Sequence, residues 1–329
     1  MAETTSAPGP LDDPEEGCPR LSVIIPTFNR APILGKCLEA LAGQSCDGGL
    51  YEVLVADDGS SDATRATVRD FAQRGSPRVR YLQQENSGAN AARNRGIGLA
   101  RGAILLFIND DTIATPDMLA EHLAAHDLYP DDWVAVLGRV TLSPALRPSR
   151  LGRLHLDRAY ASLAGRTELD WRAFFTCNVS VKRSLLDRAG VFEERIRYHE
   201  DLELAERLSH HGLRMIYRPQ ALGYHDHLLP EQEFLAIAVR EARALAVWAR
   251  IAPHLRPMLG TLGFEPALPL GRRIRHRLVG LLVNRATIPL WRWIARRCPS
   301  GLDALSLAIY SQIYQCLKRS QIRRELRAP

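Results

Sequence analysis

The sequence predicts an α/β protein: a Rossmann-like, mostly parallel sheet wound with helices on both faces, followed by a C-terminal helical extension. Three observations carry that prediction. Over the first 110 residues, short apolar runs alternate with amphipathic stretches. Polar clusters fall at the ends of three of those runs, and beyond Pro230 helical periodicity takes over. Alternating strand and helix patterns wind a parallel sheet because each crossover helix must cover a face. Ligands then belong at the carboxyl ends of the strands.

Residues 1–17 are rich in Pro, Gly, Ser, Thr and acid and carry too few large apolar groups to offset the entropy of ordering, which predicts a disordered acidic tail. Residues 18–228 are expected to form the wound domain and 229–329 a basic helical extension. Strands are expected at 21–25, 51–56, 79–82 and 103–108, with helices near 33–42, 62–74 and 88–100 between them. The pattern then loosens through a helix near 116–126, a strand near 134–140 and a Pro/Arg-rich connection over 143–153. Residues 174–181 read as a strand and 183–189 as a short helix. In the stretch that follows, Leu202, Ala205 and Leu208 share one helical face while Glu203 and Glu206 share another. Glu200 and Asp201 therefore sit at a helix start, where the dipole alone favours acids. In the extension, Phe234, Ile237, Ala238, Leu245 and Trp248 lie along one helix, and apolar stretches over 279–297 and 302–317 are interrupted by Arg285 and Asp303.

Composition excludes several classes. No positively charged start leads into an apolar stretch, and no run of about 18 uncharged apolar residues offers a membrane span, so a cytoplasmic protein is expected. The six cysteines are scattered without a Cys-x-x-Cys pair, which argues against a zinc site or a disulfide framework and for reduced thiols. The net charge of +6 conceals an asymmetry: residues 229–329 hold 17 Lys and Arg against 6 Asp and Glu, whereas residues 1–228 hold 26 against 31. A patch such as Arg272-Arg273-Ile274-Arg275-His276-Arg277 suits anionic lipid or nucleic acid, although such runs are more often solvated helix faces. No nucleic-acid partner is expected. Arg285, Arg292, Arg296 and Arg297 flank Leu281-Leu282, Ile288, Leu290-Trp291 and Ile294, a pattern compatible with peripheral contact of residues 271–329 with an anionic membrane at the inner face of the cell. A packed helical subdomain with a wet basic face is the plainer reading. Gly96-Ile97-Gly98-Leu99-Ala100-Arg101-Gly102 mimics a dinucleotide fingerprint, but its third glycine falls one position late and the segment ends a helix; no Walker-type loop is present either.

Chemistry concentrates at three strand ends. The first expected strand runs into Pro26-Thr27-Phe28-Asn29-Arg30, the second into Asp57-Asp58-Gly59-Ser60-Ser61-Asp62, and the fourth into Asn109-Asp110-Asp111. Each cluster alone is explained by turn chemistry, since Asp-Gly-Ser followed by Asp makes an ordinary strand-to-helix turn with an N-cap. Together they are not, because turn formation does not call for paired carboxylates at two of the three positions. Adjacent carboxylates at the end of a buried strand repel unless a cation or several donors sit between them. A divalent metal carrying a phosphate is the obvious occupant.

The ordered series SVIIPTFNR, VADDGSSD, NSGANAARNRGI, LLFINDD, CNVSVKR, GVFEER, HEDLELAERLSHHG and YRPQALGYH, spanning roughly residues 21–227, resembles glycosyltransferase family 2. The resemblance implies a GT-A fold and an inverting, nucleotide-diphospho-sugar-dependent transferase. It implies that Pro26 and Phe28 line a nucleobase pocket, that Asp58 and Arg93 make polar contacts to base or ribose, and that Asp110 reaches the ribose and Asp111 a Mg²⁺ or Mn²⁺ ion. Where the family commonly has aspartate this chain has Asn109, which keeps an acceptor but loses a charge, so it is assigned a hydrogen bond and no metal bond. His225 resembles the histidine that completes the metal shell in some relatives, with a surface histidine in a turn as the plain alternative. In Glu200-Asp201 the second acid would be the general base that deprotonates the acceptor hydroxyl opposite the departing diphosphate, while the metal neutralises the leaving group. Glu200 would orient the sugar or support the base, and Asn178 would line the acceptor side. The expected acceptor is a glycan, a polysaccharide or a lipid-linked hydroxyl, in the assembly of cell-envelope polysaccharide. Two other readings compete. A sugar-phosphate nucleotidyltransferase shares the wound sheet but wants a Gly-rich, basic loop that the segment Pro26 to Arg30 lacks. A non-catalytic nucleotide-sugar-binding or membrane scaffold would follow if Asn109 marks decay of the metal site, against which Asp111 and Asp201 are both retained.

Overall fold

Continuous burial singles out the inner strands. Every residue of β1 (Leu21–Thr27) and β2 (Tyr51–Asp57) is buried, the pattern of strands covered on both faces. The computed structural model describes residues 18–75, 77–147, 160–299 and 301–327, and the tail expected over 1–17 lies outside them. With β3 (Arg78–Gln83) and β4 (Ile104–Ile108) these strands form a parallel group in the order β3-β2-β1-β4. The crossovers are α1 (Ala31–Ala42), α2 (Thr64–Ala72) and α3 (Ala89–Leu99). Alternate side chains divide between the faces, as a period of two requires. Val23, Ile25, Val53 and Val55 pack with Leu34, Leu38, Val68 and Phe71 of α1 and α2, whereas Ile24, Leu54 and Leu105 pack with Ile97 of α3.

Beyond β4 the sheet becomes mixed. The chain continues through β5 (Thr112–Ala114), α4 (Met118–Leu128), β6 (Val134–Leu142), β7 (Glu168–Leu169), β8 (Asn178–Lys182), α5 (Arg183–Ala189), α6 (Glu200–Ser209) and β9 (Arg214–His225). The strand order runs on as β4-β8-β6-β9-β5, with β7 paired to β9. β8 is antiparallel to both β4 and β6, while β6 and β9 are parallel. The strand expected over 174–181 starts late for a local reason. Phe174 N–H bonds to Trp171 O at 3.1 Å and Asn178 N–H to Phe175 O at 3.2 Å, so turns claim the backbone groups that a ladder would need. The connection expected over 143–153 is described only as far as residue 147.

The extension folds as α7 (Glu231–Ile251), α8 (Arg256–Thr261), α9 (Leu270–Leu282), α10 (Ile288–Arg297) and α11 (Asp303–Glu325). One of its cores, built on Leu235, Val283, Ala295, Ile309 and Ile313, is its own. A second core joins Leu245, Trp248, Leu259 and Phe264 to Ile196 and to the partly buried Tyr198 and Leu202. The start of α6 is therefore packed against the extension. Among the described residues no helix is long and apolar enough to cross a membrane, and no cysteine pair is bonded. Within residues 271–329, where membrane contact is expected, α10 is anchored inward. Its Ile288, Trp291 and Ile294 pack on the extension's own core, and Arg292 and Arg296 pair with Glu231 at 2.6 and 2.5 Å.

The register of β6 on β9 shifts between Gly138 and Arg139. A methyl group at Gly138 would lie 2.2 Å from Asn178 Nδ2 and 2.4 Å from Ala221 O, so three strands meet where no side chain fits. Gly138→Ala is expected to lower the free energy of unfolding by about 1–3 kcal/mol through forced displacement of packed backbone. Urea denaturation measures it, and a loss below about 0.5 kcal/mol would mean that the strands simply part.

Candidate active site

The turns that follow β1 and β2 are tied to one another. Asn29, in the left-handed region at φ 53°, donates its N–H to Ser60 Oγ at 2.8 Å and accepts Ser61 N–H on Oδ1 at 2.8 Å. Asp62 Oδ2 accepts Ala31 N–H at 3.0 Å, which holds the start of α1. Asp57 accepts Ser60 N–H at 2.9 Å and the Tyr81 hydroxyl. The carboxylate of Asp58 accepts Ser87 N–H at 2.8 Å, Gln84 Nε2 at 2.9 Å and Gly88 N–H at 2.9 Å, so both oxygens secure the loop before α3. Between these turns and the end of β4 lies a cavity of about 310 Å³, lined in part by Pro26, Phe28, Asp58, Arg93, Asn109 and Asp110. All five residues expected at the donor nucleotide are brought together there. The Phe28 ring is 45% exposed, a surface on which a base can stack.

At the end of β4, Arg30 supplies the counter-charge that the sequence left unassigned. Its Nη1 bonds to Asp110 Oδ1 and its Nη2 to Asp111 Oδ2, each at 2.8 Å. Thr27 Oγ1 donates to Asp110 Oδ2 at 2.8 Å. Burial nevertheless pushes the Asp110 carboxyl up to about 6, with Arg30 opposing and the Asp111 charge reinforcing the rise. β5 pairs with the end of β9 so that Thr112 faces His225, and this places His225 Nε2 3.5 Å from Asp111 Oδ2.

Asp111 Oδ1 and His225 Nδ1 are buried without hydrogen-bond partners. A carboxylate with an unpartnered oxygen beside an imidazole fits a divalent cation whose remaining ligands are oxygens of water and phosphate. Among the described residues no third protein ligand joins them. Asn109 lines the cavity and its carbonyl accepts Thr112 N–H at 3.1 Å.

The second acidic cluster opens α6. Asp201 Oδ1 accepts Leu202 N–H at 2.8 Å, and burial followed by the adjacent Glu200 charge raises its carboxyl to about 6. Glu200 Oε1 accepts Arg93 Nη1 at 3.0 Å, so the arginine that lines the cavity also holds the acid pair. Arg93 is almost wholly buried, and its Nε has no partner. Cys177 registers both clusters: burial raises its thiol to about 11, with Asp201 and Asp111 each adding to the rise against the Tyr160 hydrogen bond.

His199, at φ 62°, caps α6 from a left-handed conformation that a non-glycine residue adopts only under constraint. The constraint comes from α7 and α11. Glu241 accepts His199 Nε2 at 2.7 Å and the Tyr314 hydroxyl at 2.6 Å, and pairs with Lys318 Nζ at 2.7 Å. Burial opposes the Glu241 charge, yet the hydrogen bond from His199 and the Lys318 charge hold its carboxyl down at about 2.

One expected residue lies elsewhere. Asn178 is fully buried, with its amide donating to Ala221 O at 2.7 Å and Arg139 O at 3.2 Å and its carbonyl 2.9 Å from His122 Nε2. It joins β8 to β6, β9 and α4 and offers no atom to an acceptor sugar.

Residues 22–188 match the family described as glycosyl transferase family 2. The chain belongs to that family. The glycosyltransferase AglE of Haloferax volcanii is 42% identical over 278 residues, covering 82% of this chain and 88% of that one. The validoxylamine A glucosyltransferase of Streptomyces hygroscopicus subsp. jinggangensis is 30% identical over 239 residues; the match covers 62% of this chain but only 55% of that relative. A mannosyltransferase from Pyrobaculum calidifontis, solved in complex with GDP-Man and Mn²⁺, superposes with a TM-score of 0.62 at 21% identity over 93% of this chain and 87% of that one. The fold of this family 2 chain is GT-A.

Two substitutions test the electrostatics of this family 2 site. Arg30→Gln leaves Asp110 and Asp111 without their counter-charge and is expected to cost about 1–2 kcal/mol, below the value for a fully enclosed pair because Arg30 is partly solvated. Melting curves with EDTA and with Mn²⁺ should show a larger cation-induced rise for the variant than for the parent protein. Glu241→Ala strands buried Lys318 and should cost about 3–5 kcal/mol in urea unfolding.

Proposed function

We propose that this chain is a metal-dependent, inverting glycosyltransferase that moves a sugar from a nucleotide-diphospho-sugar to the hydroxyl of a glycan, polysaccharide or lipid-linked acceptor. The observation that carries the reading is the bond from Arg93 to Glu200, which joins a nucleotide-sized cavity to the acid pair that opens α6. Residues 18–228 hold this chemistry and residues 229–329 brace it through Glu241. The mannosyltransferase neighbour, solved with GDP-Man and Mn²⁺, supports a nucleotide-sugar donor and a divalent cation.

In this scheme Pro26 and Phe28 receive the base, Asp110 accepts from the ribose, and Arg93 with Asp58 closes the polar side of the pocket. Asp201 takes the proton from the acceptor hydroxyl as its oxygen attacks the anomeric carbon, and the bond to the diphosphate breaks on the opposite face. That geometry inverts the anomeric configuration. Glu200, fixed by Arg93, orients the sugar or keeps Asp201 in place. A Mg²⁺ or Mn²⁺ ion held by Asp111 and His225 would supply Lewis-acid neutralisation of the leaving diphosphate. Work at the cytoplasmic face, in cell-envelope polysaccharide assembly, belongs to the same proposal.

Asp201→Asn should lower kcat by about 10²–10⁴-fold while donor affinity, measured by calorimetry, stays near that of the parent protein. Unchanged turnover would remove Asp201 from the role of base. The active form of the base is ionised and its carboxyl is raised to about 6, so kcat/KM should be level above that pH and fall as Asp201 takes up a proton below it. A profile that stays level down to about pH 5 contradicts the assignment.

A further inference from the structure

We propose that the basic pocket between α9 and α11 seats the headgroup of an anionic phospholipid, with the outer face of α9 lying in the membrane interface. The inference stands apart from the transfer reaction, because it concerns surfaces that no step of that reaction uses.

The pocket measures about 990 Å³ and draws its walls from His276, Leu281, Arg285, Arg319, Arg323 and Arg324, among others. Arg319 is only 5% exposed, yet its Nη1 has no hydrogen-bond partner, and neither does His276 Nδ1. A buried guanidinium with an unsatisfied donor is costly unless an anion completes it. Glu265 answers part of the charge by binding Arg323, with Nε to Oε2 at 2.8 Å. Arg285 and Arg324 stand exposed at the rim. Burial lowers the Arg319 pKa, the direction expected of a cation enclosed without its full complement of acceptors.

Beside the pocket, α9 turns an uncovered apolar stripe to the outside. Leu270, Ile274, Leu278 and Leu281 recur at i, i+4, i+8 and i+11 on one face and are 69%, 48%, 61% and 75% exposed. Leu281 belongs both to the stripe and to the pocket wall. By helical spacing Arg273 and Arg275 fall on either side of the stripe. An aliphatic ridge edged with arginine, next to a concave cluster of cations, is the complement of an anionic bilayer surface: side chains enter the acyl boundary while phosphates meet the charges. A single-stranded nucleic acid would call for aromatic stacking platforms where this chain offers aliphatic ones.

The test is co-sedimentation of the full chain with vesicles of phosphatidylcholine alone and of phosphatidylcholine mixed with phosphatidylglycerol. The protein should partition to the mixed vesicles, less so as sodium chloride is added. Arg285→Gln with Arg324→Gln removes two rim charges and should weaken binding by about 10- to 30-fold. Leu278→Asp with Leu281→Asp should abolish it. All four positions are exposed, melting temperature checks the fold, and each pair tests a different part of the surface. Equal sedimentation with both vesicle types, no sedimentation with either, undiminished binding by the arginine pair, or tighter binding of an oligonucleotide than of anionic vesicles would each overturn the proposal.

Discussion

Crowded carboxylates at the carboxyl edge of the sheet are the constraint on which this structure turns. Asp57, Asp58, Asp110 and Asp111 are all nearly or wholly buried and come from the ends of two strands on either side of β1. Each must find donors or repel its neighbours. Asp57 and Asp58 find theirs in the turns and in Tyr81, Asp58 while also lining the cavity. Asp110 and Asp111 share one guanidinium, and a single arginine cannot satisfy four carboxylate oxygens. The oxygen left over on Asp111 is the one that finds no donor in the protein.

The helical extension enters the same logic from the opposite side. α6 starts with three acids in its first turn, a concentration the helix dipole tolerates but does not aim. Aim comes from Arg93 beneath and from the Glu241 node behind, which fixes His199 in a backbone conformation it would not otherwise hold. The second core, shared by Trp248, Phe264 and Ile196, makes that node rigid. Charge selects the geometry, and apolar packing keeps it.

What the sequence discloses follows from which interactions leave a period. β1 to β4 are legible because buried strands are continuous apolar runs, and Glu200-Asp201 is legible because an amphipathic helix begins beside it. β5 and β7, of three and two residues, carry no period at all. Arg30 sits in a cluster rich in turn residues and has no pattern to mark it as a counter-charge. Glu241 did leave a signal: it falls four residues after Ile237 and four before Leu245, an acid on an apolar helix face. Such a residue is tolerated only with partners, and Tyr314 and Lys318 lie 73 and 77 positions further along the chain. Asn178 misled because a polar residue in a strand looks the same whether it serves a ligand or a buried histidine. The apolar stripes of α9 and α10 look alike in sequence, and only the tertiary packing decides which of them another helix covers.

The two ends of the sheet have a consequence for how copies of this chain can associate. One edge is β3, whose exposed and half-buried positions include Arg78 and Arg80, and the other is made by β5 and β7, of three and two residues, both paired to β9. Charged side chains and a very short outer strand are the two devices that deny a second chain a backbone template. Strand addition, and with it the route toward extended β assemblies, is therefore discouraged at both margins.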